Sequence, residues 1–300
     1  MRLRDFLHIV ELRTKVVGLS SFLLGTLFAV HADGSFSLAD FVLMLIATLC
    51  VDMGTTAFNS FFDANRGVDN RRFNLEDDKV IVHGGVAPGI ALIISVVLFF
   101  GAAVFGLILA LRTSLWLIPV GGVSLAVGYL YNAGPLPISR TPFGELFAGG
   151  FLGSVLFLVS YFVQAGEVSS DAALASLPSL LFVASILTVN NTCDIEGDRA
   201  AGRTTLSILL GVKLAEIAVY VLGFASFVAL SVLSLAGPLP ALGLFFILPA
   251  AVFVLVLYRG MHQRGYSHST KGPQMNAVVR AFGFYTLSYL LSVLLGIFFS

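Results

Sequence analysis

Apolar runs close to the roughly 20 residues that a helix needs to cross a bilayer recur along this whole 300-residue sequence, and no other feature constrains the fold as much. A water-soluble domain would have to bury all of these runs in one core. With 57% hydrophobic and 11% charged residues, the chain has too little polar surface to cover such a core. The alternating ten-residue pattern of an outer-membrane barrel is absent. Backbone polar groups in lipid must be satisfied within their own element, which leaves a helical bundle. The expected architecture is an all-α, polytopic membrane protein, with 1–300 forming one membrane domain. Within it, 1–13 lies in the interface, because Leu3, Phe6, Leu7, Ile9, Val10 and Leu12 are interspersed with charges there.

Spans are expected at about 14–31, 39–62, 87–111, 114–132, 143–165, 171–193, 213–236, 238–258 and 275–299, nine transmembrane helices around a central cavity. The first run leads directly into HADGSF with no small-residue cleavage site, so it is expected to remain as a span. Lys and Arg near span ends are retained on the cytoplasmic side. One set of connections carries nearly all of them, from Arg2, Arg4, Arg13 and Lys15 to Arg259, Arg264 and Lys271, while the opposite set carries only Arg112. This predicts a plasma-membrane protein with a cytoplasmic N-terminus and an external C-terminus. The connections after spans 2, 6 and 8 read as long, polar and cytoplasmic. Cys50 and Cys193 both fall within predicted spans, which argues against a disulfide framework or a zinc site. With zero net charge and no basic run, nucleic acid is not an expected partner; the lipid bilayer is.

Two polar clusters stand out at the cytoplasmic ends of spans 2 and 6: NSFFDANRGVD (59–69) and NNTCDIEGD (190–198). Asn59 and Asp63 are four residues apart, as are Asn190, Asp194 and Asp198. Residues at i and i+4 share a helix face, so each cluster presents an amide and a carboxylate in one direction. Asp52, Thr56, Asn59 and Asp63 then form a polar stripe up span 2. An ionisable group within an apolar run, such as Asp52, is costly unless it faces a cavity or a partner. Asp69, beyond Gly67, is expected to swing back as the helix opens. Carboxylates and amides without His or Cys are hard ligands of the kind Mg²⁺ takes together with substrate phosphate, so opposed clusters suit Mg²⁺ ions bridging a diphosphate. Arg66, Arg72 and Lys79 follow the first cluster, and Arg199 and Arg203 follow the second, where they can bind outer phosphate oxygens. The bland alternatives are solvated helix ends and basic residues that serve only to set sidedness.

These two stretches, the second continuing as NNTCDIEGDRAAGRTTL, resemble the aspartate-rich motifs of the UbiA-type intramembrane prenyltransferases. The resemblance implies nine helices with motifs in loops after helices 2 and 6. It also implies metal binding by Asn59, Asp63, Asp69, Asn190, Asp194 and Asp198, with the four aspartates as the catalytic acids. Family members commonly carry Asn-Asp at the start of the first motif, where this chain has Asn59-Ser60. G-P-L-P, G-E-L-F and Y-x-V-Q-x-G elements within 134–166 look most like the 1,4-dihydroxy-2-naphthoate polyprenyltransferases of menaquinone synthesis. The implied reaction moves a polyprenyl group from its diphosphate to a ring carbon of an aromatic acceptor, with loss of carbon dioxide and with Mg²⁺ as cofactor.

Tyr131, beside Tyr129 in GYLYN, is then a candidate for stabilising an allylic cation. Glu145 is a candidate for orienting the acceptor, and Arg140, His83 and Arg280 for lining the mouth. The rival readings are a superfamily member acting on 4-hydroxybenzoate or another acceptor and, from a different class, a cation-coupled transporter. A transporter would place its ionisable residues near mid-membrane, where only Asp52 approaches.

Overall fold

The structure is a computed structural model that describes residues 2–66, 80–81 and 85–299. Its helices are α1 (Leu3–Ile9), α2 (Val16–Asp33), α3 (Leu38–Asn65), α4 (Pro88–Arg112), α5 (Leu117–Asn132), α6 (Gly144–Ala148), α7 (Leu156–Ala165), α8 (Ser170–Cys193), α9 (Ile195–Ala200), α10 (Leu206–Ala236), α11 (Leu244–Arg264) and α12 (Lys271–Phe299). The described residues contain no strand. A π-helical turn, Gly149–Val155, joins α6 to α7 into one rod. Local chemistry sets several helix starts. Ser37 Oγ accepts from the Asp40 N–H at the head of α3, Ser169 Oγ accepts from the Ala172 N–H at the head of α8, and Pro88 opens α4.

Eight segments among the described residues are long and apolar enough to cross a membrane: Leu12–Asp33, Leu38–Asn65, Pro88–Arg112, Gly144–Ala165, Ser170–Cys193, Leu206–Ala236, Ala241–Arg264 and His268–Phe299. The run expected at 114–132 forms the 16-residue α5, about 24 Å long at 1.5 Å per residue and shorter than the hydrocarbon core. It nevertheless links both ends of the bundle. Leu117 packs with Leu109 and Ala110 at one end, and Asn132 Nδ2 donates to the Thr55 carbonyl toward the other.

The core is built around α8, where Ala172, Phe182, Val189 and Cys193 pack with Phe28, Phe157, Phe227, Tyr285 and Tyr289. Close approach of the π-helical rod to α8 requires glycine. A Cβ on Gly153 would lie 2.5 Å from Leu180 Cα, and one on Gly149 the same distance from the Leu180 carbonyl oxygen. The outer faces of α4, α5 and α11 display Ile93, Phe100, Val123, Phe245 and Val252, the surface a lipid-facing bundle requires.

Two expectations need correction. The connections after spans 6 and 8 are largely helical: α9 and the start of α10 fill the first, and only 265–270 separates α11 from α12. Likewise Asn59, Asp63 and Asn190 stand on helices rather than on Asp-rich loops, and Asp194 is the joint between α8 and α9. Hydropathy locates the part of a helix that lies in hydrocarbon, whereas helical hydrogen bonding continues into water with polar residues aboard.

Candidate active site

A cavity of about 1660 Å³ runs inside the bundle, lined by α1, α3, α4, α5, the rod that α6 and α7 form through the π-helical turn, α8 and α12. Met44, Leu109 and Leu117 line one end; Asn59, Asp63, Asn190, Asp194 and Asp198 line the other. Met44 and Asp63 both stand on α3, so the cavity extends for about 28 Å along that helix. Between the ends, the wall on the side of α5, the α6–α7 rod and α8 is apolar, with Leu125, Phe147, Phe151, Leu152, Val155 and Ile186, whereas α3 contributes Thr48, Asp52 and Thr56.

The first cluster keeps its stripe: Asp52, Thr56, Asn59 and Asp63 all line this cavity. The second continues the helical pattern through its joint, because the Asp194 N–H donates to the Asn190 carbonyl at 3.1 Å and the Asp198 N–H to the Asp194 carbonyl at 2.8 Å. The i, i+4 spacing therefore holds Asn190, Asp194 and Asp198 on one side even though α8 and α9 are separate helices. Gly202, at φ 71, then reverses the chain, and the Arg203 N–H donates to the Asp198 carbonyl.

That reversal returns the Arg203 side chain over the cavity. Its Nη2 lies 2.7 Å from Asp63 Oδ1 and its Nη1 lies 3.1 Å from Asp198 Oδ1, so one guanidinium spans both clusters. Asp194 Oδ2 pairs with Lys271 Nζ at 2.8 Å, and its Oδ1 lies 3.7 Å from His268 Nδ1. Asp198 is buried, and burial, opposed mainly by Arg203, pushes its carboxyl up to about 6. Its Oδ2 is buried without a hydrogen-bond partner among the described residues. The donor set of three carboxylates and two amides facing one cavity, with an orphaned carboxylate oxygen, fits a hard divalent cation such as Mg²⁺. No group of three or more His, Cys, Asp or Glu close enough to hold a metal by themselves occurs among the described residues. An ion here would therefore need amide, water or phosphate ligands as well.

Other expected residues are placed differently. Arg66 points to the end of α5, donating from Nη1 to the Asn132 carbonyl (2.8 Å) and from Nη2 to the Gly134 carbonyl (3.2 Å), with its guanidinium over the Phe62 ring. Arg140 donates from Nη2 to the Ala201 carbonyl at 2.5 Å, and its own carbonyl accepts from the Thr204 N–H, so it ties the α5–α6 connection to the Arg203 turn. Glu145 is buried behind the cavity wall, where Asn191 Nδ2 donates to its Oε1 at 2.8 Å. Arg199 and Arg280 are exposed. Tyr131 lines the cavity, whereas Tyr129 is on the surface against Phe58 and Phe62. Asp69, Arg72, Lys79 and His83 lie outside the described residues. Ser60 Oγ is directed at the Ile9 carbonyl of α1, away from Asn59's face.

Sequence reasoning did not assign Lys15, His268 or Lys271 to the site. Lys15, only 2% exposed, reaches Asp52 Oδ1 at 2.6 Å and Thr56 Oγ1 at 2.7 Å, so the half-buried acid on α3 has a cationic partner. These three residues carry no local motif. Their one signal was their position at span ends, which every retained Lys and Arg shares.

The UbiA prenyltransferase family model matches residues 18–278, and the chain belongs to that family. It is 39% identical to the 1,4-dihydroxy-2-naphthoate octaprenyltransferase of Bacillus subtilis, over 58% of this chain and 55% of that one. It is 30% identical to UbiA prenyltransferase domain-containing protein 1 of Xenopus tropicalis, over 70% of this chain and 61% of that one. The chain thus spans between about half and two thirds of the length of these relatives. In fold it is similar to a UbiA homolog from Archaeoglobus fulgidus solved with GPP and Mg²⁺, with a TM-score of 0.66 at 14% identity over 96% of this chain and 99% of that one.

Proposed function

We propose that this chain, as a single membrane domain, transfers a polyprenyl group from polyprenyl diphosphate to a ring carbon of an aromatic acceptor in an Mg²⁺-dependent reaction. The proposed acceptor is 1,4-dihydroxy-2-naphthoate, prenylated with loss of its carboxyl group as carbon dioxide in menaquinone synthesis. The carrying observation is the Arg203 guanidinium held between Asp63 and Asp198, which requires the two acidic clusters to face one space. The name of the Bacillus subtilis relative supports the acceptor, and the Archaeoglobus fulgidus homolog with GPP and Mg²⁺ supports the diphosphate and the metal.

In this reading Asn59, Asp63, Asn190, Asp194 and Asp198, together with Asp69, hold Mg²⁺. The metal supplies Lewis-acid stabilisation of charge developing on the leaving diphosphate. Arg203 binds phosphate oxygens, as do Arg72 and Lys79 from the segment after the first motif. The apolar wall from Phe147 to Met44 takes the polyprenyl tail and keeps water from the allylic cation, with Tyr131 and Phe151 offering ring faces. Arg66 and Arg140 act as tethers that fix the α5 end and the Arg203 turn; Glu145 acts through Asn191. The motif end of the bundle faces the cytoplasm and the end of α12 faces outward, in keeping with Arg112 pairing with Asp40 at the opposite end. The transporter alternative loses its main support, since Asp52 is neutralised by Lys15.

The test is incorporation of radiolabel from a polyprenyl diphosphate by membranes carrying the chain, with Mg²⁺ and a panel including dihydroxynaphthoate and 4-hydroxybenzoate. Labelled naphthoquinol from wild type, lost in Asp63→Ala and Asp194→Ala, is expected. Product that survives both substitutions, or forms only with another acceptor, overturns the site or the acceptor respectively.

A further inference from the structure

The motif end of the bundle also receives the turn between α11 and α12, which brings Lys271 to the cavity beside Gly272, Met275 and Asn276. A lysine serving only sidedness would extend into water. This one is turned inward, 11% exposed, with Nζ 2.8 Å from Asp194 Oδ2. Together with Arg203 it gives each described aspartate of the two motifs a cation within 3.1 Å. Asp194 is also an acid assigned above to metal binding. A divalent cation at about 2.1 Å from that carboxylate would lie within about 5 Å of the ammonium, and like charges that close repel by several RT even at a protein-surface dielectric. An anion with oxygens to spare for both removes the conflict, and a diphosphate is such an anion.

We infer that Lys271 is a diphosphate-binding residue of this site: its ammonium turns from Asp194 to an outer oxygen of the diphosphate as that carboxylate takes up a divalent cation. The inference rests on reading the acidic residues as a metal–diphosphate site. It identifies a cation from the last helix, far in sequence from both motifs, as part of the cradle.

The test is calorimetric titration of the detergent-solubilised full chain with Mg²⁺-pyrophosphate and, separately, with Mn²⁺ alone. Lys271→Gln is expected to weaken pyrophosphate binding at least about tenfold, the loss of one charge-assisted hydrogen bond, while Lys271→Arg stays within about threefold of wild type. Lys271→Gln is expected to bind Mn²⁺ alone no more weakly than wild type, since a competing charge has gone. Pyrophosphate affinity within about twofold of wild type in Lys271→Gln would overturn the inference. So would Mn²⁺ binding as poor as in Asp194→Asn, because Lys271 would then only brace the acid. Wild type that binds no Mg²⁺-pyrophosphate removes the underlying reading and the inference with it. Wild-type binding with an indifferent Lys271→Gln removes the inference alone.

Discussion

Replacing Arg203 with methionine isolates the contact on which the site depends. The side chain is 12% exposed and sits between Asp63 at 13% and Asp198 at 5%, so its loss leaves two poorly solvated carboxylates facing one space. Removing one partner from a buried ionic cluster costs about 3–5 kcal/mol, because the remaining charges stay desolvated. A divalent cation bound by the same oxygens replaces the missing charge, and at a hundredfold excess over its dissociation constant it contributes about 2.7 kcal/mol. Arg203→Met is therefore expected to be less stable than wild type by roughly 3 kcal/mol in chelator and to recover most of that loss in Mg²⁺. Mg²⁺ should stabilise wild type less, since there the metal competes with the guanidinium. The assay is unfolding of detergent-solubilised protein at pH 7.5, with and without Mg²⁺. Equal stabilisation of both proteins by Mg²⁺ would refute the reasoning, since guanidinium and metal would not then share oxygens.

Three further outcomes follow from named contacts. Because burial raises the Asp198 carboxyl to about 6, the folded chain holds a proton there between about pH 4 and 6 that the unfolded chain has released. Without metal, that group's contribution to stability is present at low pH and is lost as pH rises through 6. Mn²⁺ affinity moves the opposite way, rising about tenfold from pH 5 to 7 and levelling above; equal affinity at pH 5 and 7 would contradict it. Lys15→Met is expected to cost about 3–5 kcal/mol by stranding Asp52, and the double substitution with Asp52→Leu to recover most of it, read as a double-mutant cycle in unfolding free energy. Gly153→Ala is expected to destabilise by about 1–3 kcal/mol, because its Cβ meets Leu180 backbone rather than a side chain that can turn aside. Unfolding curves that superimpose on wild type would show that the contact between the π-helical turn and α8 is looser than this.

The positions of the spans were legible because membrane thickness is written along one dimension. The expected 87–111 and 171–193 became Pro88–Arg112 and Ser170–Cys193. The spacing in Asn59-x-x-x-Asp63 and Asn190-x-x-x-Asp194 was legible for the same reason, since a helix converts a four-residue interval into a shared face. Helix ends were harder to read. Lys271 reads as part of a polar connection, whereas the structure places it at the first position of α12, just beyond the six-residue turn that holds His268.

What the sequence alone determined, then, was everything local: an all-helical chain built for lipid, and two polar stripes whose members stand one turn apart. Tertiary structure decided which charges meet. Arg203 and Asp63 are 140 residues apart and share a hydrogen bond, while Arg66, only three residues beyond Asp63, is directed to the carbonyls of α5. Coulomb energy depends on distance through space and on exposure to solvent, and in a bundle both are set by which helices pack together.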